Sequence, residues 1–223
     1  MKAFFDSLRR MVLSFAFPAH CPACGAYAEE RGAWCAACLS RTVRPHRLAL
    51  SDKQLAALDE AWAVGLYDGP LGDLVRALKY RKKRAVLPQI ETALGAAGLP
   101  FGGSFDFAVP VPLHAAKERE RGFNQTVSIF SPWLEAVGIP LLPVLARGRK
   151  TMPQYGLGER ERMANVRDAF CLAEGEAAGR LSGKRLLLLD DIMTTGATLT
   201  ACAEVLKAAG AKRVAALVLA SDR

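Results

Sequence analysis

At 223 residues the chain has room for one main domain and a small appendage. Half of it is apolar, enough for a real core, and its longest apolar runs, near Met11–Phe17 and Val214–Ala220, are far too short to span a bilayer. The net charge of +8, from 30 basic and 22 acidic residues, points to anionic partners, and phosphorylated small molecules and nucleic acid satisfy it equally.

Met1–Phe17 puts basic residues ahead of a short apolar patch, faintly like a signal peptide. It has no small-residue cleavage site, and a cysteine cluster follows. The segment therefore reads as an amphipathic helix packed on the body, and the chain as cytoplasmic. Cys21-Pro-Ala-Cys24 and Cys35-Ala-Ala-Cys38 stand ten residues apart. Each pair forms a knuckle that aims two thiolates at one point, and two knuckles complete a tetrahedral site for structural zinc. Redox-active pairs are the alternative, but they occur singly on a thioredoxin-like unit. Four thiolates close the coordination sphere, which leaves His20 a bystander. Residues 1–45 form this helix and zinc ribbon, and 46–223 the main domain, with the polar stretch 41–60 as the joint.

Glu60–Tyr67 reads as a strand, broken by Asp68-Gly69-Pro70. Leu71, Leu74, Val75 and Leu78 then mark a helix running into the basic run Lys79–Arg84. That run is either a solvated helix end, suited to the negative end of the dipole, or a phosphate or single-strand contact with Tyr80 available for stacking. Phe105–Val111 is the next strand, and Pro110 and Pro112 stiffen its exit through Leu113 and His114. Lys117, Arg119 and Arg121 follow on the loop, and Gly122-Phe-Asn-Gln125 opens a helix through Ala136. A stiff turn with three cations suits a pyrophosphate clamp, with loop surface charge as the plainer reading. His114 either touches a ligand or caps. Leu141–Leu145 reads as a strand, Arg147–Gln154 as a basic loop, Glu159–Val166 as a charged helical piece and Asp168–Leu172 as a strand. The loop's anchored cations could close over a polyanion. Cys171 and Cys202 read as inert buried thiols.

The chain is organised around Lys184–Leu199. Four consecutive leucines after Gly183 make a strand buried on both faces of a parallel sheet. It ends in Asp190 and Asp191, then Thr194-Thr195-Gly196-Ala197-Thr198, and Leu199, Cys202, Val205, Leu206 and Ala209 continue at helical spacing. Ligands bind in such a place, between a strand's carboxyl end and a helix's amino end. The helix start offers unpaired N–H groups to a phosphate. Gly196 admits close backbone approach, and the threonines add hydroxyl donors. The two aspartates suit sugar hydroxyls or a hydrated Mg²⁺. Together they describe a ribose 5-phosphate site. No P-loop is present, and Gly156-Leu-Gly158 lacks the rest of a dinucleotide fingerprint.

Four apolar residues, Asp-Asp, two spacers and Thr-Thr-Gly-Ala-Thr resemble the phosphoribosyl pyrophosphate (PRPP) motif of type I phosphoribosyltransferases. With the Cys21/Cys24/Cys35/Cys38 ribbon, Leu78-Lys79-Tyr80, Val109–Leu113, Arg119–Gln125, Thr151, Gln154, Leu157, Arg162, Asn165-Val166 and Ala169-Phe170, nearly the whole chain resembles the ComF family. That resemblance implies an α/β fold of the type I phosphoribosyltransferase kind, a mostly parallel sheet flanked by helices behind a small N-terminal zinc ribbon. It also implies a link to natural competence and to incoming single-stranded DNA. By resemblance, Asp190 and Asp191 hold the ribose hydroxyls, Thr194, Thr195, Gly196, Ala197 and Thr198 hold the 5-phosphate, and Val111, Pro112, Leu113 and His114, with Lys117 and Arg119, form the pyrophosphate loop. Arg147–Gln154 would be part of the flexible loop.

Purine-salvage relatives place an aspartate base where this chain has Thr194, whereas orotate-type transferases also carry threonine. A threonine hydroxyl cannot act as a general base near neutral pH, so an acceptor must already be nucleophilic. The expected function is binding of Mg²⁺–PRPP and displacement of pyrophosphate, with Arg149, Lys150 and Arg121 stabilising the leaving group and Asp190 and Asp191 orienting the sugar. The alternative is a non-catalytic module that senses PRPP or a nucleotide and grips single-stranded DNA. A second copy of the chain or a competence protein are further expected partners.

Overall fold

The structure, a computed structural model, describes residues 19–28, 30, 32–81, 83–101, 104–148, 169–173 and 178–222. The expected helix in Met1–Phe17, the cations Arg149 and Lys150 and the helical piece Glu159–Val166 lie outside the described residues. Five strands form the main sheet: β3 (His46–Arg47), β4 (Glu60–Leu66), β5 (Phe107–Pro110), β8 (Arg185–Met193) and β9 (Arg213–Ser221). Their order is β3-β4-β9-β8-β5, with only the edge strand β3 antiparallel. The expected mostly parallel α/β sheet is therefore what the chain forms.

The two central strands explain the apolar runs. Leu186–Leu189 and Val214–Ala220 are fully buried, because parallel strands carry cover on both faces. Alternation sorts them into two cores. Leu186 and Leu188 pack with Cys202 and Leu206 of helix α7 (Ala197–Ala208). Leu187 and Leu189 pack with Leu78 of α3 (Pro70–Arg81), Leu94 of α4 (Leu87–Ala96) and Phe130 of α6 (Gln125–Val137). Helix α3 touches both β4 and β9. Among the described residues no helix is long and apolar enough to cross a membrane.

Several elements differ from the sequence expectation. The stretch 41–60 is no irregular joint. Helix α1 (Ala36–Thr42) runs into it, β3 pairs with β4, and Ser51 and Gln54 form a capping box on the short helix α2 (Asp52–Leu55). Lys117, Arg119 and Arg121 sit on a helix, α5 (Ala115–Arg121), rather than on a loop. His114 Nδ1 accepts the Ala116 N–H at its start, and left-handed Gly122 ends it. The strand expected from Leu141 begins only at Leu145, as β6 (Leu145–Arg147). Pro140 and Pro143 lack the N–H groups a ladder needs, and Leu141 makes a single bridge to Ala108. β6 pairs antiparallel with β7 (Phe170–Leu172). On β7 Cys171 faces outward between its neighbours and is exposed, not buried, whereas Cys202 is buried as expected.

Candidate functional site

The first two strands, β1 (Ala19–His20) and β2 (Tyr27–Ala28), form a hairpin whose turn carries Cys21 and Cys24. The Gly25 N–H returns to the Cys21 carbonyl, and left-handed Gly25 lets the turn close. Cys35 stands just before α1 and Cys38 in its first turn. All four sulfurs lie within 4.8 Å of one another. The Cys24–Cys35 separation is 3.8 Å, the edge expected of a tetrahedron with metal–sulfur bonds of about 2.3 Å. The cysteines form no disulfide. Although burial opposes it, backbone N–H groups of Cys35, Cys24 and Ala23 bring the Cys21 thiol down to about 6. Hydrogen bonds with the Cys35 and Cys24 thiols push Cys38 up to about 12. Four thiols this close cannot all ionise without a cation between them, which a divalent metal would supply. The donor set fits structural zinc, and the cluster includes no histidine, so His20 stands outside it.

At the other centre, β8 ends in the two acids. Asp191 is buried, with its side chain 4% exposed. Its Oδ1 accepts from Lys79 Nζ of α3 at 2.7 Å, and its Oδ2 from Gln125 Nε2 of α6 at 2.8 Å. The Arg121 guanidinium donates in turn to Gln125 Oε1. Asp190 is half-buried, and its Oδ1 accepts the Asp191 N–H at 2.8 Å. Burial, then the Asp191 charge, raises its carboxyl to about 8, against the pull of Lys79 and Arg147. Burial, and then Asp190, pushes the Cys202 thiol well up. Arg147 lies over the Phe170 ring at 5.4 Å, and its buried Nε has no partner among the described residues.

The loop after β8 presents Thr194 and Thr195 to solvent. Gly196, at φ 78°, starts α7 without a side-chain cap. The Ala197 N–H reaches Thr195 Oγ1 only at 3.4 Å. The first-turn N–H groups around Thr198 have no intrahelical acceptor. Gln54 braces the loop from below by donating to the Thr195 carbonyl at 3.0 Å. On the neighbouring strand, Val111 donates to the Leu189 carbonyl at 2.8 Å and continues the pairing that Pro110 cannot. Pro112, Leu113 and His114 are half-buried, and His114 is occupied as a cap.

The structure thus gathers Asp190, Asp191, the Thr194–Thr198 loop and Arg121 around the end of β8. Lys117 and Arg119 are exposed along α5. In sequence Lys79 reads only as part of the basic run and Gln125 only as part of a helix opening, neither as a partner of Asp191, and Gln54 is not singled out. Gln54 has a local signal of its own, three residues after Ser51. Lys79 and Gln125 meet Asp191 across 112 and 66 positions of chain, which no spacing rule reports.

Comparison with known proteins agrees with this architecture. The Phosphoribosyl transferase domain family matches residues 138–223. The chain is 29% identical over 203 residues to DNA utilization protein YhgH of Salmonella typhi, covering 87% of this chain and 80% of that one. It is 28% identical over 207 residues to Competence protein F of Haemophilus influenzae, covering 89% and 82%. Competence protein ComFC of Streptococcus pneumoniae is 33% identical over 106 residues, 48% of this chain and 44% of that protein. Among solved structures, glutamine PRPP amidotransferase from B. subtilis overlaps 51% of this chain and 22% of its own, at 23% identity and a TM-score of 0.35, too slight a likeness to bear on the fold. Over most of its length the chain is thus similar to these competence and DNA utilization proteins, and its residues 138–223 match a phosphoribosyl transferase domain behind an N-terminal four-cysteine module.

Proposed function

We propose that this protein binds PRPP with Mg²⁺ at the end of β8 and transfers its phosphoribosyl group to a nucleophile. The observation that carries the reading is the juxtaposition of the acids with the glycine-started helix α7, which Thr194 and Thr195 precede and whose first turn holds Thr198. The 5-phosphate would take those amides and hydroxyls, and the ribose diol the acidic end of β8. Mg²⁺ bound with the ligand would offset the pyrophosphate charge. The chain's own part is to hold the sugar in line and to stabilise the departing pyrophosphate with cations, Arg121 and the expected Arg149 and Lys150 among them. Thr194 supplies no general base, so the acceptor must arrive as an anion or a free amine. Calorimetry with Mg²⁺–PRPP tests the reading: saturable binding by the wild type, lost in Asp190→Asn/Asp191→Asn, is the expected result. Equal heats from both proteins would remove the site.

A second reading is favoured by the surface beside α3. Tyr80 is 76% exposed, and Arg81, Lys83 and Arg84 around it are exposed too. Cations around an aromatic face suit single-stranded nucleic acid, and the relatives' names, Competence protein F and DNA utilization protein, agree with it. On this reading the fold senses PRPP or a nucleotide while gripping DNA. Single-strand binding that weakens steeply with salt, and is lost in Tyr80→Ala, supports it. Pyrophosphate release on adding any acceptor supports the enzyme.

A further inference from the structure

Successive residues of a strand point to opposite faces, so β8 sends its two acids different ways. Leu187 and Leu189 belong to the core beneath α3 and α6, and Asp191 continues that row to meet Lys79 and Gln125. Leu186 and Leu188 belong to the core beneath α7, and Asp190 continues that row, beside Cys202 and within the field of Arg147. The acids also differ in what is left to them. Both Asp191 oxygens are engaged, at 2.7 and 2.8 Å, and its side chain is 4% exposed. A sugar hydroxyl would have to compete with those two donors for a side chain almost closed to solvent. The Lys79 side chain is 17% exposed, so the open side of this ion pair belongs to the cation. An ammonium has three donors, and Asp191 takes one.

We propose that Asp191 is a positioning residue rather than a sugar ligand: it seats the Lys79 ammonium, and through Gln125 the Arg121 guanidinium, as the protein's grip on the ligand's pyrophosphate, leaving the ribose diol to Asp190. The assignment rests on the PRPP reading above and says which residue meets which part of the ligand. Pyrophosphate is the partner because of where the cations stand. Arg121 and Gln125 lie on the elements that follow the proline-stiffened exit of β5, and Lys79 reaches the same side of β8 from α3. The 5-phosphate position, at the start of α7, lies against the other core. Lysine without its buried counter-charge would swing toward solvent, and Asp191 without lysine would be an unpaired buried anion. The pair is built to present one cation at one place.

The test is calorimetry on the full-length protein with two probes, Mg²⁺–PRPP and ribose 5-phosphate, which share the sugar and 5-phosphate but not the pyrophosphate. Lys79→Met and Asp191→Asn should each weaken PRPP by about tenfold or more, the scale of one charge-assisted hydrogen bond, and leave ribose 5-phosphate within about twofold. Lys79→Arg should recover part of the loss. The double variant Lys79→Met/Asp191→Asn should be no worse than the poorer single one, because one acts through the other. Asp190→Asn should weaken both probes alike. Should Asp191→Asn fail to fold, Lys79→Met and Lys79→Arg carry the comparison by themselves. PRPP affinity unchanged in Lys79→Met overturns the proposal, as does ribose 5-phosphate binding that falls as far in Asp191→Asn as in Asp190→Asn. A wild-type protein that ignores ribose 5-phosphate altogether overturns the underlying reading first, and that result is visible before any variant is made.

Discussion

Burial and the charge of Asp191 raise the Asp190 carboxyl to about 8 from its ordinary 3.8, so near neutral pH the folded chain holds a proton there that the unfolded chain releases. Between those two values the folded state binds more protons, and stability falls as pH rises across the window. Thermal melts of the wild type from pH 5 to 8 should show this decline, and Asp190→Asn should flatten it. An unflattened slope would place the titration elsewhere. Sugar hydroxyls donate to an ionised carboxylate, so the same residue should take up a diol with release of its proton. Six residues on, Gly196 is fixed by its backbone conformation. Its φ is 78°, and a Cβ there would also displace the ends of the Gln54 and Met193 side chains. Gly196→Ala should therefore cost about 1–3 kcal/mol, read from the urea midpoint, through left-handed strain and loss of the Gln54 brace. It should also weaken any phosphate bound at the loop.

Helix α6 shows an element placing a site residue by its end. Asn124 accepts from the Thr126 and Val127 N–H groups at 2.9 and 3.3 Å, which fixes the first turn and with it the direction of Gln125. Asn124→Ala should lower stability by about 0.5–2 kcal/mol in chemical denaturation. It should also loosen Asp191, seen as faster exchange of the amides around the end of β8. Elements of this kind were unevenly legible in sequence. β8 and α7 could be read because four leucines and a helical row of apolar residues announce burial on two faces and on one. β3, two residues long, carries no period at all. Helix α5 is polar on every side, so its sequence resembled a charged loop, and only the His114 cap and Gly122 mark its ends. Helix α4 had a readable row in Ile90, Ala93, Leu94 and Ala97, but Pro88 at its start and the basic run before it hid the boundary. The strand content of the site was visible; its ion pair was not, because Lys79 and Asp191 meet only when α3 lies across the sheet.

At the scale of the molecule the cysteine module is a wall of the core, not a bead on the outside. Cys21 and Trp34 are buried in the same cluster as Val64, Leu71 and Phe130. Trp34 Nε1 donates to the Gln89 carbonyl at 2.9 Å, and a Cβ on Gly32 would stand 2.8 Å from Pro88 Cβ, so the module's backbone rests directly on the start of α4. The metal that the four thiolates fit would hold this wall upright, since it would tie the turn of Cys21 and Cys24 to the start of α1. Removing zinc with a chelator should then lower the melting of the whole chain, not of a separate fragment. Trp34→Ala withdraws the same wall from the other side, at about 3–5 kcal/mol for a buried tryptophan, which corresponds to roughly 6–20 °C for a chain of this size. Because both perturbations undo one contact, chelation applied to Trp34→Ala should add far less than it takes from the wild type. Two melting transitions in the chelated wild type, the later one at the original temperature, would show instead that the sheet and its helices stand without the module.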